Sequence, residues 1–386
     1  MTMNGLVMVA DVDLGVPDGA RTHVIEVARA FQRAGLSVTL VARGPDPCLP
    51  GVAFRRAGGL EHDRVKRLLD LGRQAIVSIW KERGHARRLY VREKWTTLPA
   101  ALVARLLGYR IVAEINDYAY GPSFIGDVPP IIDRLKRATL FTMGAVASGV
   151  VAGTEEARSL LVSEFHLPAG RVAVVPIGVD VEFFGPRDRA ASIAAAGLDG
   201  TRTYLVFVGN FAPWVDFDTL IDAFARVHQA DPSTVLVLVG DGAQRDRVTG
   251  LAERHGVADA VTLTGYVRDR EGIRDLLGAA TVLLASHRGE DLDRIGMNAT
   301  KIAEYLASGR PVVAKDVAGL REMIEVPGAG RVASGPAEMA AAILEVLCAD
   351  RASEMGDRAR REAVDRWSWA ATIERTLPLF ERGTAR

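Results

Sequence analysis

The chain has 386 residues, of which 48% are hydrophobic and 25% are charged. This length exceeds one ordinary hydrophobic core, so we expect a globular protein with two domains. Lysine and arginine total 48, and aspartate and glutamate also total 48. This balance gives no indication of a bulk polyanion such as a nucleic acid as a partner.

Cysteine, histidine and aspartate usage gives no indication of a metal or redox centre. Cys48 and Cys348 are far apart and lack CxxC spacing, and the histidines lack metal-ligand spacing. Asp-x-Asp strings occur at 11–13, 216–218 and 291–293, which is unsurprising in a chain with this many acidic residues. No apolar run reaches membrane-spanning length and no signal peptide opens the chain. We expect a cytoplasmic protein without metal or other cofactor.

The opening of the chain predicts a βαβ unit. Residues 6–10 suit a buried strand, 11–20 a loop, 23–34 a helix that ends at Gly35, and 37–41 a second strand. The loop lacks the G-x-G-x-x-G fingerprint, so the sequence does not indicate NAD.

Residues 81–95 are basic and partly aromatic, with Trp80 and Trp95 at their flanks. One interpretation is peripheral contact with anionic lipid headgroups at the inner face of the membrane. The other is a solvated helix followed by a strand at 89–91. That strand would leave Arg92 at its carboxyl end, where open α/β sheets bind ligands.

The rest of the chain continues to alternate strands with helices. Strands are predicted at 110–114 and 172–175, and 183–196 suits an interdomain link. A second series of strands is predicted, and its members include 204–208, 235–239, 261–267 and 282–285. The alternation predicts two parallel sheets with crossover helices, facing across a central cleft that would hold a ligand.

Residues 296–319 predict a helix that leads into a buried strand. Asn298 and Thr300 are capping residue types, Gly309 is a helix stop, and 312–314 is a short apolar run. The free amides of a helix N-terminus suit a diphosphate, and Lys301 adds a cation in the first turn.

Glu304 lies three residues after Lys301 and therefore on roughly the same face of the predicted helix. A carboxylate near the diphosphate can accept both hydroxyl groups of a ribose. The stretch thus predicts a site for a nucleoside diphosphate.

These residues resemble the signature of the retaining glycosyltransferases of family 4. Glu304, 306–309 and 311–314 match the family's Glu followed by Ala-x-Gly-x-Pro-Val-Val-Ala. Residues 19–24 resemble the family's opening, in which a Gly-Gly pair precedes a helix with His-Val. Residues 176–180 are similar to its Pro-Asn-Gly-Val-Asp at the end of the first domain.

The resemblance implies the α/β GT-B fold, with a Rossmann-like acceptor domain at 1–186, a Rossmann-like nucleotide-sugar domain at 187–363, and a C-terminal helix at 364–386 that packs back on the first domain. It implies retaining, metal-independent transfer from a UDP- or GDP-sugar to a small-molecule, glycan or lipid-linked acceptor, without a protein nucleophile. The implied donor-binding residues are Gly19, Ala20, Gly209, Asn210, Tyr266, Val267, Met297, Asn298, Ala299, Thr300, Lys301 and Glu304, with Lys301 stabilising the diphosphate.

The acceptor-binding residues implied in the same way are His23, Arg92, Asn116 and Asp117, and Asp117 is also a candidate for assisting proton removal. For Asn116 and Asp117, a plain turn is an equally good interpretation.

Three of the departures from the family pattern raise a second hypothesis. The family's Gly-Arg-x-x-x-x-Lys-Gly turn, whose two cations clamp the donor diphosphate, aligns with Asn210 and Val215, and its first signature glutamate aligns with Gly296. These departures keep open an alternative function as a weak or inactive nucleotide-sugar-binding partner protein. A third hypothesis is another GT-B enzyme, such as a nucleotide-sugar 2-epimerase or a sugar phosphorylase.

Overall fold

A computed structural model describes residues 4–16, 19–58, 64–115, 130–289, 292–297 and 300–382. The chain forms two compact units. The first comprises Met1–Ile177 together with Trp369–Arg386, and the second comprises Gly178–Ser368.

Both boundaries differ from those expected from the sequence, which were 186/187 and 363/364. Residues 178–186 belong to the second unit because Phe183 packs there, with the Arg270 guanidinium 4.4 Å from its ring centroid. Residues 364–368 belong to it because the Val179 amide donates to the Trp367 carbonyl at 2.7 Å.

The first unit contains a sheet of seven parallel strands. The strands are β1 Gly5–Asp13, β2 Ser37–Arg43, β3 Val52–Arg56, β4 Ala86–Arg92, β5 Arg110–Glu114, β6 Gly149–Ala152 and β7 Val172–Val174. Their order across the sheet is β3-β2-β1-β4-β5-β6-β7, and every pairing is parallel. The helices between them are α1 Gly19–Arg33, α2 Arg64–Glu82, α3 Leu98–Leu106, α4 Pro130–Val146 and α5 Glu155–Ser163.

The second unit contains a sheet of six parallel strands. The strands are β8 Thr203–Val208, β9 Thr234–Val239, β10 Val261–Gly265, β11 Val282–Ala285, β12 Val312–Lys315 and β13 Gly330–Ala333, in the order β10-β9-β8-β11-β12-β13. Its helices are α6 Arg189–Ala195, α7 Phe217–Ala230, α8 Arg245–Arg254, α9 Arg270–Ala279, α10 Leu292–Ile295, α11 Thr300–Ala307, α12 Pro336–Leu347 and α13 Ala349–Glu362. Gly309 has a φ of 67° and ends α11 as predicted.

The last helix, α14 Trp369–Glu381, belongs to the first unit. Phe380 packs against Phe31 of α1 with ring centroids 6.4 Å apart. A side chain at Gly149 would lie 2.6 Å from Leu379 Cβ, so a glycine is needed where β6 meets this helix.

The resemblance implied a C-terminal helix at 364–386, but the last α-helix begins five residues later, at Trp369. After α13, a π-helical turn ends at Trp367 and Ser368 is extended, with φ −68° and ψ 151°. Ser368 forms a β-bridge with Val179, which takes its backbone out of the helix.

The predicted loop at 11–20 is also shorter than expected. Strand β1 continues to Asp13, which pairs with Arg43 of β2, and α1 already begins at Gly19. Continued pairing with β2 accounts for the longer strand, and so Gly19 and Ala20 lie in the first helical turn rather than in a loop.

Candidate functional site

Four of the predicted donor-binding residues follow strands of the second sheet, at its carboxyl edge. Gly209 and Asn210 follow β8, and Tyr266 and Val267 follow β10, while Lys315 ends β12. Tyr266 is 65% exposed, whereas Val267 is half-buried. Ligands of open α/β sheets bind at this edge, and the donor-binding role of these residues stays a prediction.

Glycines let the turns at this edge pack against each other closely. The Gly209 amide donates to the Val239 carbonyl at 2.9 Å, and the Gly240 amide donates to the Gly265 carbonyl at 3.0 Å. A side chain at Gly240 would lie 1.9 Å from the Gly209 carbonyl oxygen. The close approach of these two turns therefore requires a glycine at position 240.

The two positions of the family's diphosphate clamp have different surroundings. Asn210 is exposed. Val215 is 2% exposed and belongs to a core cluster with Phe207 and Phe217. A cation at 215 would disturb this core, which gives a packing reason for the valine.

A cation from another strand lies beside this turn. The Lys315 ammonium contacts the Asp216 carboxylate, and the Thr219 hydroxyl donates to the same carboxylate at 2.9 Å. Burial raises the pKa of Asp216, but the hydrogen bonds from Lys315 and Thr219 outweigh it and hold the pKa below its usual value. Asp216 is ionised near neutral pH and fixes the Lys315 ammonium at the carboxyl edge.

The next carboxylate along the turn, Asp218, lies 2.7 Å from the Arg247 guanidinium and 3.2 Å from that of Arg288. Both carboxylates of the 216–218 string are thus paired with cations. In the part of the chain that the structure describes, no group of three or more His, Cys, Asp and Glu side chains is arranged to hold a metal ion.

Helix α11 presents Lys301 and Glu304 together, as its spacing predicts. The Lys301 ammonium lies 3.0 Å from Glu304 Oε2. Glu304 is 8% exposed, so its carboxylate does not point freely into solvent. Tyr305 anchors the helix to β8, because its hydroxyl accepts from the Val208 amide at 2.7 Å.

The segment before α11 is attached to the turn after β12. The Met297 amide donates to the Ala318 carbonyl at 2.8 Å, and Asp293 Oδ1 accepts from the Ala318 amide at 3.0 Å. Gly296 has a φ of 69°, a conformation that strains a glutamate, which accounts for the glycine at the family's first signature position. The predicted donor residues Asn298 and Ala299 lie outside the described residues.

His287 follows β11 at the same edge, and the sequence did not single it out. Its Nδ1 is buried and makes no hydrogen bond, and burial lowers the pKa of His287 to about 4. The ring is therefore neutral at physiological pH.

This lowered pKa predicts a loss of stability in acid. Between pH 6.5, the ordinary value, and about pH 4, the unfolded chain binds a proton at His287 that the folded chain does not. The contribution of His287 to the free energy of unfolding is fully present above this window. As the pH falls through the window, the free energy of unfolding decreases, by roughly 2–3 kcal/mol at about pH 4.5. His287→Gln should remove this acid-dependent loss of stability. The measurement is the free energy of unfolding in urea, compared between neutral and acid pH. His255→Gln, at an exposed histidine, is the matched control, and equal acid sensitivity of His287→Gln and wild type would refute the effect.

The carboxyl edge of the first sheet brings together residues that the sequence treated separately. His23 Nε2 lies 2.5 Å from Glu114 Oε1, and the Tyr90 hydroxyl donates to Glu114 Oε2 at 2.9 Å. Burial and then the charge of Glu114 raise the pKa of Tyr90, so the phenol stays protonated. Arg92 ends β4 directly beside Glu114, its register partner on β5.

The other acceptor and donor predictions for the first unit stay predictions. Gly19 and Ala20 begin α1, one turn before His23. Asn116 and Asp117 lie outside the described residues.

Glu114 is the residue at this edge that the sequence analysis missed. The available signal was an acidic residue that ends an apolar strand, which places its carboxylate at the carboxyl edge of a parallel sheet.

The basic stretch at 81–95 contains the end of α2 and then β4, as the second interpretation predicted. Trp80 and Trp95 are 55% and 54% exposed, and the Arg83 guanidinium lies 3.9 Å from the Trp80 ring centroid. Among the described helices, none is long and apolar enough to cross a membrane.

Models of two protein families match the chain. Residues 17–183 match the model described as Glycosyltransferase Family 4, and residues 202–349 match the model described as Glycosyl transferases group 1.

Two relatives illustrate the similarity in sequence. D-inositol 3-phosphate glycosyltransferase of Segniliparus rotundus is 32% identical over 262 residues, which are 66% of this chain and 56% of that protein. The GDP-mannose-dependent alpha-(1-6)-phosphatidylinositol monomannoside mannosyltransferase of Mycobacterium tuberculosis is 30% identical over 294 residues, 74% of each chain. The match to the first of these relatives thus spans little more than half of its length.

Solved structures share the fold at low sequence identity. Anabaena Alr3699/HepE in complex with UDP has a TM-score of 0.73 at 16% identity and covers 98% of this chain and 99% of its own. WaaG, a glycosyltransferase involved in lipopolysaccharide biosynthesis, has a TM-score of 0.69 at 16% identity and covers 98% and 100%. The predicted GT-B fold, with two Rossmann-like domains, is confirmed.

Proposed function

Because this chain belongs to glycosyltransferase family 4, we propose that it moves a sugar from a UDP- or GDP-sugar to a small-molecule, glycan or lipid-linked acceptor with retention of the anomeric configuration. The observation that carries this proposal is the buried Glu304 carboxylate, held beside Lys301 in the first turns of α11. Relatives support the choice of donor, since one is named as GDP-mannose-dependent and structural neighbours are described with UDP or UDP-glucose.

In the second unit, each part of the donor has a candidate partner. Glu304 accepts the two ribose hydroxyls, and its Oε1 makes no hydrogen bond within the described residues. Lys301 and the amides of the α11 N-terminus stabilise the diphosphate, and Lys315 adds the cation that Asn210 and Val215 do not supply. The backbone at Tyr266 and Val267 contacts the base.

In the transfer step, the acceptor nucleophile bonds to the anomeric carbon as the bond from that carbon to the diphosphate oxygen breaks. The nucleophile approaches the face that the leaving group occupies, and the departing phosphate oxygen takes the acceptor proton. The nucleoside diphosphate leaves with the bonding electrons, so lysine ammonium groups stabilise its charge in place of a metal ion.

Acceptor binding is assigned to the carboxyl edge of the first sheet, around His23 and Arg92. A lipid-linked acceptor is included because Trp80 and Trp95 are exposed and the Arg83 guanidinium lies over the Trp80 ring. Exposed aromatic side chains near cations are typical of proteins that sit peripherally on anionic membranes. Binding to phosphatidylinositol vesicles is the measurement for this part of the proposal.

The test is a mass-spectrometric screen with UDP- and GDP-sugars, mixed acceptors and EDTA. A glycosylated product that carries the donor's anomeric configuration and forms in EDTA is expected. An inverted product, or dependence on a metal ion, would contradict the corresponding part of the proposal.

The alternative is a nucleotide-sugar-binding partner protein, which the missing clamp cations at 210 and 215 favour. Donor binding without turnover, with every acceptor supplied, is the result that would support it.

The third hypothesis, a nucleotide-sugar 2-epimerase, has its own test. Incubation with UDP-N-acetylglucosamine alone would detect epimerisation.

A further inference from the structure

Arg92 differs from the cations around it, because its guanidinium has no partner among the residues that the structure describes. Its Nε and Nη1 atoms are buried without a hydrogen bond, and none of its nitrogens makes a hydrogen bond or ion pair in the described part of the chain. By contrast, Arg43 donates to Asp11 Oδ1 at 2.8 Å, and Arg88 lies 3.3 Å from a Glu381 carboxylate oxygen.

The carboxylate beside Arg92 is already engaged. Glu114 is its register partner on β5. The Tyr90 hydroxyl donates to one Glu114 oxygen at 2.9 Å, and His23 Nε2 lies 2.5 Å from the other. Tyr90 and Arg92 are two residues apart on one strand and so face the same side of the sheet, which places the His23–Glu114–Tyr90 contacts on the side that the Arg92 side chain faces.

A guanidinium without a partner is costly to bury, and an incoming anion would remove that cost. Its planar arrangement of N–H groups matches the two oxygens of a phosphate or carboxylate, to which it donates two parallel charge-assisted hydrogen bonds. A single neutral hydroxyl would leave most of these donors unused.

From this geometry we infer that the acceptor carries an anionic group, a phosphate or a carboxylate, which Arg92 binds at the carboxyl edge of the first sheet. The inference rests on the proposed function, since it names the class of acceptor. His23, held by Glu114, is a positioning residue for the same group.

The test compares wild type with Arg92→Met, which removes the charge but keeps much of the side-chain length. The probes are inorganic phosphate, D-inositol 3-phosphate against myo-inositol, and phosphatidylinositol against phosphatidylcholine vesicles. Wild type should bind the anionic member of each pair more tightly, and Arg92→Met should lose roughly 10- to 100-fold of that affinity. Arg88→Met, on the same strand, is the matched control and should keep the preference.

The probes also separate the two sources of a phosphate. Arg92-dependent binding of D-inositol 3-phosphate with no effect on vesicles indicates a soluble phosphate ester, and the reverse indicates a lipid headgroup. Arg92→Lys should restore part of the affinity, because it returns the charge without the planar donors.

Measuring donor binding distinguishes a failure of the anionic-acceptor inference from a failure of the transferase proposal. Stabilisation of the protein by its UDP- or GDP-sugar should be equal in wild type and Arg92→Met. If the donor binds and no phosphate probe shows a dependence on Arg92, the anionic acceptor is overturned while the transferase proposal stands. If no nucleotide sugar binds to wild type, the transferase proposal itself fails.

Discussion

Replacing Lys315 with methionine should lower the rate of sugar transfer by about 100-fold or more, the typical effect of removing one positioned donor from a developing anion. The Lys315 ammonium contacts the Asp216 carboxylate at the carboxyl edge of the second sheet. A lysine ammonium has several N–H donors, so those that do not contact Asp216 remain available for diphosphate oxygens.

The expected effect is large because the turn after β8 lacks the two cations of the family's diphosphate clamp. Asn210 carries no charge, and Val215 is buried in the core of the second unit. We propose that the cation reaches the diphosphate from the end of β12 instead of from the turn after β8. The lowered pKa of Asp216 keeps that carboxylate ionised and the ammonium in place.

Arg331→Met is the control for Lys315→Met. Arg331 lies on β13, next to β12, and its guanidinium pairs with Glu345 at 2.8 Å, so its loss also breaks an ion pair in the same sheet. Turnover of the donor under saturating conditions is the measurement, with thermal unfolding to show that each variant is folded. A folded Lys315→Met protein with the wild-type rate would exclude Lys315 from the reaction.

Replacing Glu304 with alanine should weaken binding of the nucleotide sugar by roughly 10- to 100-fold, because hydrogen bonds to a charged carboxylate contribute more than neutral ones. Glu304 is 8% exposed and one of its oxygens is bound to Lys301 at 3.0 Å. The substitution removes the proposed acceptor for the ribose hydroxyls and also releases the Lys301 side chain.

Thermal stabilisation by UDP- and GDP-sugars measures this effect directly. Glu325→Ala is the matched control, since Glu325 pairs with Arg321 in the π-helical turn Arg321–Glu325 of the same unit. Loss of donor binding in Glu304→Ala but not in Glu325→Ala is expected. Unchanged binding in Glu304→Ala would remove the central residue of the proposed donor site.

Local patterns in the sequence were sufficient for most elements of the fold. The strands at 110–114 and 282–285 have the predicted bounds, because short apolar runs between helices form buried parallel strands. Lys301 and Glu304 lie together because their spacing is nearly one helical turn. Such features depend only on residues close in the chain.

Boundaries were less predictable, because contacts from distant residues determine them. The C-terminal helix expected at 364–386 is interrupted at Ser368, which forms a bridge with Val179. Likewise, residues 178–186 join the second unit because the rings of Phe183 and Phe184 pack under Arg270. No local property of these segments indicates those partners.

The sequence alone determined the alternation of strands and helices, the family resemblance and the helix that carries Glu304. Only the tertiary structure decided which side chains meet. Lys315 pairs with Asp216 across 99 residues, Glu114 contacts His23 and Tyr90, and the Arg92 guanidinium has no partner within the described ranges. The reason is physical: periodicity and helix caps are local, whereas strand order brings distant strand ends to one edge, and burial there determines which charges are paired.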